Sequence, residues 1–408
     1  EIIDRYADLK TRRLDKRRIL EELASIEGVY VPSLYTRVRA GNSTLLVPRP
    51  EGSAPARVEK RVLSSFRRSH MPERIVVPNI QAVFDRVSCE AARGCPHRCR
   101  FCQATGVYFP FRIKSPSFLA GKMLNSLRLT GYEDASLSAL SISDYPYLDE
   151  TVKALMGELE KNKVSLSLSS LRPKGLSPEV AESIVKVRKT GFTLVPEAGT
   201  ERLRRVINKP LTDQDIWDAL SQAFSRGWRL VKLYFMIGLP TEKEEDLLGI
   251  IALVRETLRL GQKILGSPPR INLSVSSFIP KPHTPFQWLG MEDEDVLLEK
   301  QDLIRSELRR HRTVEIKEHP VSTSVLEGVF SRGDRKLGEA IREAWKRGAR
   351  FDSWKDELDV NAWKDAFQAA GIDYRSYLGP IDRRAELPWD IIDAGIKKSA
   401  LLGELDKA

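Results

Sequence analysis

Three cysteines fall within eight positions in this chain, in the stretch "RGCPHRCRFCQATGVYFPFR" that runs from Arg93 to Arg112. Cys95, Cys99 and Cys102 follow a C-x3-C-x2-C spacing, and only Cys89 remains elsewhere in the 408 residues. Thiolates are strong, soft ligands, and one short loop can turn three of them toward a single metal centre. A structural zinc site needs a fourth ligand. The candidates are Cys89, His97 inside the loop, and the distant His283, His311 and His319. An iron–sulfur cube held by three cysteines instead keeps one iron open to an exogenous chelate, which makes it a reactive arrangement rather than a staple.

Whatever sits there must be positioned by a scaffold, and the sequence around it is periodic. From Ala82 to about Pro280, β-branched or apolar runs alternate with amphipathic stretches of helical period. The runs are "AVFDRVSCEAA", "ASLSALSIS", "VSLSLSSL", "GFTLVPEA", "RLVKLYFMIG" and "RINLSVSSFIP". Between them lie "SPSFLAGKMLNSLRLTG", "YLDETVKALMGELEKN", "SPEVAESIVKVRKTG", "TDQDIWDALSQAFSRGW" and "EEDLLGIIALVRETLRLG". Ser-Pro starts and Gly stops punctuate several of these. Such alternation predicts an α/β fold with a parallel sheet, curved into a partial barrel of six units or opened into a doubly wound sheet. In either case the cysteine loop follows the first strand, at the carboxyl end where such folds build their sites.

Three consecutive regions are expected: an N-terminal helix and extended linker over 1–81, the core over 82–290, and a mainly helical region over 291–408. The first holds an amphipathic helix to about residue 26 and then two extended pieces joined by a Gly-Asn turn. The last holds charged helices with tryptophans, "DRKLGEAIREAWKRG" and "DVNAWKDAFQAAG" among them, read as packing residues rather than stacking platforms for bases.

Composition bounds the rest. Four cysteines are too few for a disulfide framework, which points to a reducing, cytoplasmic setting. The longest apolar runs are too short to cross a bilayer. A net charge of +10, from 66 Lys and Arg against 56 Asp and Glu, permits nucleic acid as a partner without requiring it. The excess is spread over charge runs that on helices are usually solvated faces.

"GCPHRCRFC" resembles the C-x3-C-x-aromatic-C signature of the radical S-adenosylmethionine enzymes, with Phe101 as the aromatic. "SLRP", "KVRKTGFTLVPEAGTERLRRVINK", "VKLYFMIGLPTEKEEDL" and "VSSFIPKPHTPFQW" extend the likeness to a bacterial branch that often carries an N-terminal cobalamin-binding domain. The resemblance implies a partial (β/α)6 barrel whose three cysteines hold a 4Fe-4S cluster. The open iron would chelate S-adenosylmethionine, and an electron from the cluster would cleave it to methionine and a 5′-deoxyadenosyl radical that abstracts hydrogen from a substrate. It implies a reductant such as flavodoxin or ferredoxin. Cobalamin, and with it methylation, enters only if a domain lies upstream of Glu1.

On that resemblance, Ser143 and Asp144 are the expected partners of the methionine amino group. Ser170, Arg172 and Glu197 are expected at the methionine or ribose portions, with an ion pair between Arg172 and Glu197 as the plainer alternative. Gly238 would let backbone approach the adenine. "PKPHTPFQW" offers His283, Phe286, Gln287 and Trp288 to a substrate pocket. Only Cys89 is left over, so a second cluster with three cysteines of its own is excluded. The substrate stays open among RNA, protein and a lipid-like small molecule, and the competing class is a non-enzymatic, metal-stapled RNA-binding protein.

Overall fold

A computed structural model describes all residues except 41–44, 68–70, 73, 81, 169–190 and 355. The chain packs into two units. One comprises residues 63–278 and 295–319, and the other comprises 1–62, 279–294 and 320–407.

Among the described residues, the first unit carries seven parallel strands: β1 (Val87–Glu90), β2 (Asp134–Ser138), β3 (Ser165–Leu168), β4 (Phe192–Glu197), β5 (Leu230–Ile237), β6 (Arg270–Ser277) and β7 (Val314–Glu318). They form two sheets, β1-β2-β3 and β4-β5-β6-β7, paired in parallel throughout. The α/β fold and the six expected strands are present. The seventh, β7, falls in the stretch assigned from sequence to the helical C-terminal region. It is five residues of alternating charge, "VEIKE", and strand pairing to Ile271–Val275 gives it an identity its composition hides.

Helices Pro116–Thr130, Leu148–Lys161, Asp213–Ser225 and Glu244–Leu265 fill the gaps between strands. Pro116 starts the first and Gly131, at φ +74°, ends it. Thr212 and Asp215 form a reciprocal capping box on the third. The expected helix "SPEVAESIVKVRKTG" lies almost wholly outside the described residues.

Burial along the strands is one-sided. In β5, Val231, Leu233, Phe235 and Ile237 are buried, whereas Lys232, Tyr234 and Met236 are not. The same holds in β1 and β2, where Val87, Cys89, Ala135 and Leu137 pack with Leu119, Met123, Val152 and Leu155 from the two adjacent helices. Ser88 and Ser136 point the other way and hydrogen-bond each other at 3.0 Å. Helices therefore cover one face of the strands and leave a polar face.

The loop after β4 touches the Glu244–Leu265 helix backbone to backbone. A Cβ on Gly199 would lie 2.2 Å from the Asp246 carbonyl oxygen and 2.4 Å from the Ile250 nitrogen. Asp246 is buried there and accepts from the Lys243 N–H at 2.8 Å, from the Thr200 hydroxyl and from Arg202. Burial alone would raise its carboxyl, but the hydrogen bonds from Thr200, Lys243 and Arg202 outweigh it and hold the carboxyl below its usual range.

In the second unit, the single N-terminal helix expected from sequence is two, Ile2–Thr11 and Lys16–Ala24, broken where Arg13 adopts φ +54°. Tyr35–Arg39 and Leu46–Pro50 pair antiparallel as the two extended pieces. Their expected Gly-Asn turn lies outside the described residues. Trp363 and Trp389 are buried as expected, but Trp345 and Trp354 are exposed. No described helix is long and apolar enough to cross a membrane.

Two measurements test the β4 loop. Gly199→Ala should lower stability by roughly 1–3 kcal/mol or more, read from urea midpoints, because the helix must move to admit the methyl. Asp246 has a folded pKa below its unfolded value, so its contribution is full above about pH 4 and is lost as pH falls through the folded pKa. The stability gap between the natural chain and Asp246→Asn should therefore narrow between neutral pH and about pH 3.

Candidate functional site

The cysteine loop leaves the carboxyl end of β1 and returns beside its own start. Ala92–Arg93 pairs antiparallel with Arg112–Ile113, so residues 94–111 form a closed excursion. Gly94 opens it at φ +85°, where a Cβ would sit 2.8 Å from the Tyr108 carbonyl oxygen and 3.0 Å from that of Pro110. Only glycine satisfies both the dihedral and the space. The Cys102 N–H donates to the Cys99 carbonyl at 3.0 Å, and Cys102 then leads into the short helix Gln103–Val107.

Two anchors hold the far side of the loop. Arg100 is buried and donates to the carbonyls of Val206 at 2.7 Å and Arg205 at 3.1 Å, while its N–H donates to Ile207 at 3.0 Å. Asn208 reaches back to the Arg98 carbonyl at 2.8 Å. The loop is thereby tied to the helix Glu201–Val206 that follows β4. On the other side, His97 Nε2 lies 2.8 Å from Asp144 Oδ2, and the Ser141 hydroxyl donates to the same oxygen at 2.5 Å. Asp144 belongs to the turn Ile142–Asp144 that follows β2.

Cys95, Cys99 and Cys102 are partly exposed, and none of the four cysteines is in a disulfide. Among the described residues no three Cys, His, Asp or Glu side chains converge into a ready metal cage. The donor set nonetheless fits a three-thiolate cluster. All three thiols lie on one anchored loop, and the two nearest candidates for a fourth ligand are otherwise engaged. His97 is turned to Asp144. Cys89 faces the apolar core beside Val87 and Leu137, where burial pushes its thiol up to about 11 despite the opposing charge of Lys114.

Of the other expected residues, Glu197 and Gly238 lie at carboxyl ends of strands. Phe101 is half-buried between Arg100 and Cys102, and Ser143 shares the turn with Asp144. Glu197 ends β4 in the left-handed region, φ +69°, a conformation that costs a non-glycine residue about 1–3 kcal/mol. Its carboxylate meets Lys209 Nζ at 3.3 Å, with both side chains largely buried. Gly238 follows β5 at φ +74°, and its N–H donates to Glu242 Oε1 at 2.9 Å. That carboxylate also receives the Leu239 N–H and Lys300, so the glycine serves a tight turn built on Glu242. Ser170 and Arg172 lie outside the described residues. His283 is in the second unit, where its N–H donates to Gln287, which also accepts from the Trp389 indole. Burial lowers the His283 pKa, with Asp390 opposing.

Sequence reasoning missed two features. Arg93, Arg112 and Lys114 lie 5.1, 5.5 and 4.3 Å from the ring of the buried Phe66, and Arg93 makes a two-pronged pair with Glu90. Phe66 is far upstream in an irregular segment, and no local pattern signals that contact. The second is the polar strand face of Lys232, Tyr234, Asn272 and Ser274, whose signal was available in the alternation of "RLVKLYFMIG" and "RINLSVSS".

With this geometry in view, comparison with known proteins is direct. Residues 90–254 match the Radical SAM superfamily, whose enzymes use a 4Fe-4S cluster and S-adenosylmethionine as cofactors. An uncharacterized protein of Methanocaldococcus jannaschii is 32% identical over 252 residues, covering 62% of this chain and 53% of that protein. SuiB of Streptococcus suis, solved with S-adenosylmethionine, is 12% identical at a TM-score of 0.42, covering 58% of this chain and 50% of that one. TsrM of Kitasatospora setae, a radical S-adenosylmethionine methyltransferase, is 14% identical at a TM-score of 0.37, covering 46% and 35%. The chain thus spans about half the length of the first relatives it matches.

The His97–Asp144 tie is testable as a coupling. In a double-mutant cycle of His97→Ala and Asp144→Ala, read by urea unfolding of the cluster-free chain, the two changes should be non-additive by about 0.5–3 kcal/mol. Strict additivity would remove the contact from the account of the loop.

Proposed function

We propose that this chain is a radical enzyme that holds a 4Fe-4S cluster on Cys95, Cys99 and Cys102 and uses S-adenosylmethionine to begin chemistry on a substrate. The observation that carries this reading is the three-cysteine loop, docked at the carboxyl end of β1 within the Radical SAM domain. When bound, these groups supply one-electron cleavage of a carbon–sulfur bond, giving methionine and a 5′-deoxyadenosyl radical that takes hydrogen from the substrate.

The residues of the chain bind, orient and shield. Arg100, Asn208 and His97 fix the loop that presents the thiols. Ser143 and Asp144, on the turn that His97 touches, are the proposed partners of the methionine amino group. Glu197, with Ser170 and Arg172, is assigned to the methionine and ribose portions, and Gly238 to close backbone approach at the adenine. Lys232, Tyr234, Asn272 and Ser274 offer charge and hydrogen bonds on the uncovered strand face. That favours a polar substrate over a lipid-like one. A small redox protein such as flavodoxin or ferredoxin would deliver the electron, in a reducing compartment such as the cytoplasm that keeps the thiols from forming disulfides.

Anaerobic reconstitution tests the assignment. The natural chain should bind about four irons per three-cysteine site and form 5′-deoxyadenosine only with reductant. Cys99→Ala should lose both properties, whereas Cys89→Ala should keep both. One zinc per chain without nucleoside formation would favour the metal-stapled binding protein, and loss of iron in the Cys89 variant alone would overturn the ligand set.

A further inference from the structure

In the second unit, the helix Leu337–Lys346 and the turn after it present an aromatic surface that the radical chemistry does not use. The helix buries Leu337, Ala340 and Ala344 against Trp363, Ala366 and Phe367. Its adjoining face leaves Ile341 and Trp345 exposed at 48% and 58%, and the turn leaves Phe351 and Trp354 exposed at 73% and 63%. Four large apolar side chains within fourteen residues are a concentration that scattered surface hydrophobics do not explain.

The backbone is arranged to present them. Phe351 sits at φ +56°, a left-handed conformation that is an outlier for a bulky residue, yet its ring gains no burial in return. Gly348 turns the chain at φ +95°. Trp354 N–H donates to the Phe351 carbonyl at 2.8 Å, Leu358 N–H donates to that of Trp354 at 3.1 Å, and Asp352 accepts from the buried Trp363 indole at 3.4 Å. These bonds tie the turn that carries Phe351 and Trp354 to the buried Trp363.

Cations flank the rings. Residues 341–354 hold Arg342, Lys346, Arg347 and Arg350 against Glu343 and Asp352. The Arg350 guanidinium lies 5.0 Å over the Trp345 ring and donates to the Trp345 carbonyl at 2.8 Å. Glu343 is taken up by Lys346 at 2.9 Å and Arg347 at 3.1 Å, and these bonds hold its carboxyl below the usual range. Exposed π-faces interleaved with excess arginine and lysine match the two needs of an unpaired nucleic-acid strand: stacking for its bases and positive charge for its phosphates. A purely apolar partner would leave the net positive charge of this stretch without a complement.

From this we infer that the Trp345–Phe351–Trp354 surface docks single-stranded nucleic acid by base stacking. The surface is independent of cluster loading, so binding and radical chemistry fail or succeed separately. The test is fluorescence anisotropy of a dye-labelled oligouridylate of about twelve nucleotides. It is titrated with the full chain at about 50 mM and about 200 mM salt. Binding should weaken as salt rises, and Trp345→Ala and Trp354→Ala should each lower affinity roughly 5- to 100-fold. Trp345→Phe, which keeps a stacking ring, should restore most of the loss, and all variants should retain the circular dichroism of the parent. No binding at the lower salt overturns the inference, as does equal affinity in the alanine variants. Self-association that Trp345→Ala abolishes, without oligouridylate binding, would assign the face to a second copy of the chain.

Discussion

The closure of the cysteine loop is the constraint on which the rest of the site depends. Metal ligands on a loop are useful only if that loop has few conformations, since each residue left free costs about 1–2 kcal/mol to order on binding. Here the ordering is built into the chain. A two-residue ladder joins the ends of the loop, Gly94 allows its first turn, and Arg100 and Asn208 tie its middle to the segment after β4. Hydrogen bonds from a guanidinium to carbonyls are each worth about 1.5–3 kcal/mol, so these ties act as structure rather than decoration. Even the histidine within the signature belongs to this scaffold, since its ring is turned to Asp144.

One-sided burial explains how the same sheet can be both core and site. Strands buried on both faces read as continuous apolar runs, whereas those here alternate. Val231, Leu233, Phe235 and Ile237 supply the packing, and Lys232, Tyr234 and Met236 supply a face that chemistry can use. Within each of the two sheets the pairing is parallel, so its strands share one carboxyl edge; Asp144 follows β2 in one sheet, and Glu197 and Gly238 lie at the ends of β4 and β5 in the other. The strain at Glu197 fits this position.

Much of this was legible in the sequence, and the failures have physical causes. The six strands and the helices at 116–130, 148–161, 213–225 and 244–265 announced themselves through period and punctuation, which are local properties. β7 did not, because "VEIKE" lies at a sheet edge where only its pairing with β6 marks it as strand. Residues 295–319 pack with the first unit while residues 1–62 and 320–407 belong to the second, a grouping made by contacts between segments far apart in sequence. At the site, the three cysteines were read from spacing alone. The partners that hold them, His97 with Asp144 and Arg100 with Val206, are separated by 47 and 106 residues and belong to tertiary structure.

The net positive charge illustrates why a count must be resolved into positions before it argues for a partner. Arg100, Arg204 and Arg332 are buried and spend their hydrogen bonds on backbone carbonyls, with Arg204 also paired to Asp213. Desolvation pulls Arg332 down to about 10, still well above neutral pH, so it remains a cation inside the fold. Arg93, Arg112 and Lys114 are stacked about Phe66. The buried Arg100, Arg204 and Arg332 therefore count toward the net charge without adding to a polyanion surface. Cations matter to a nucleic-acid strand where they remain exposed beside something the bases can touch, and Arg350 over Trp345 has that geometry where the cysteine loop does not.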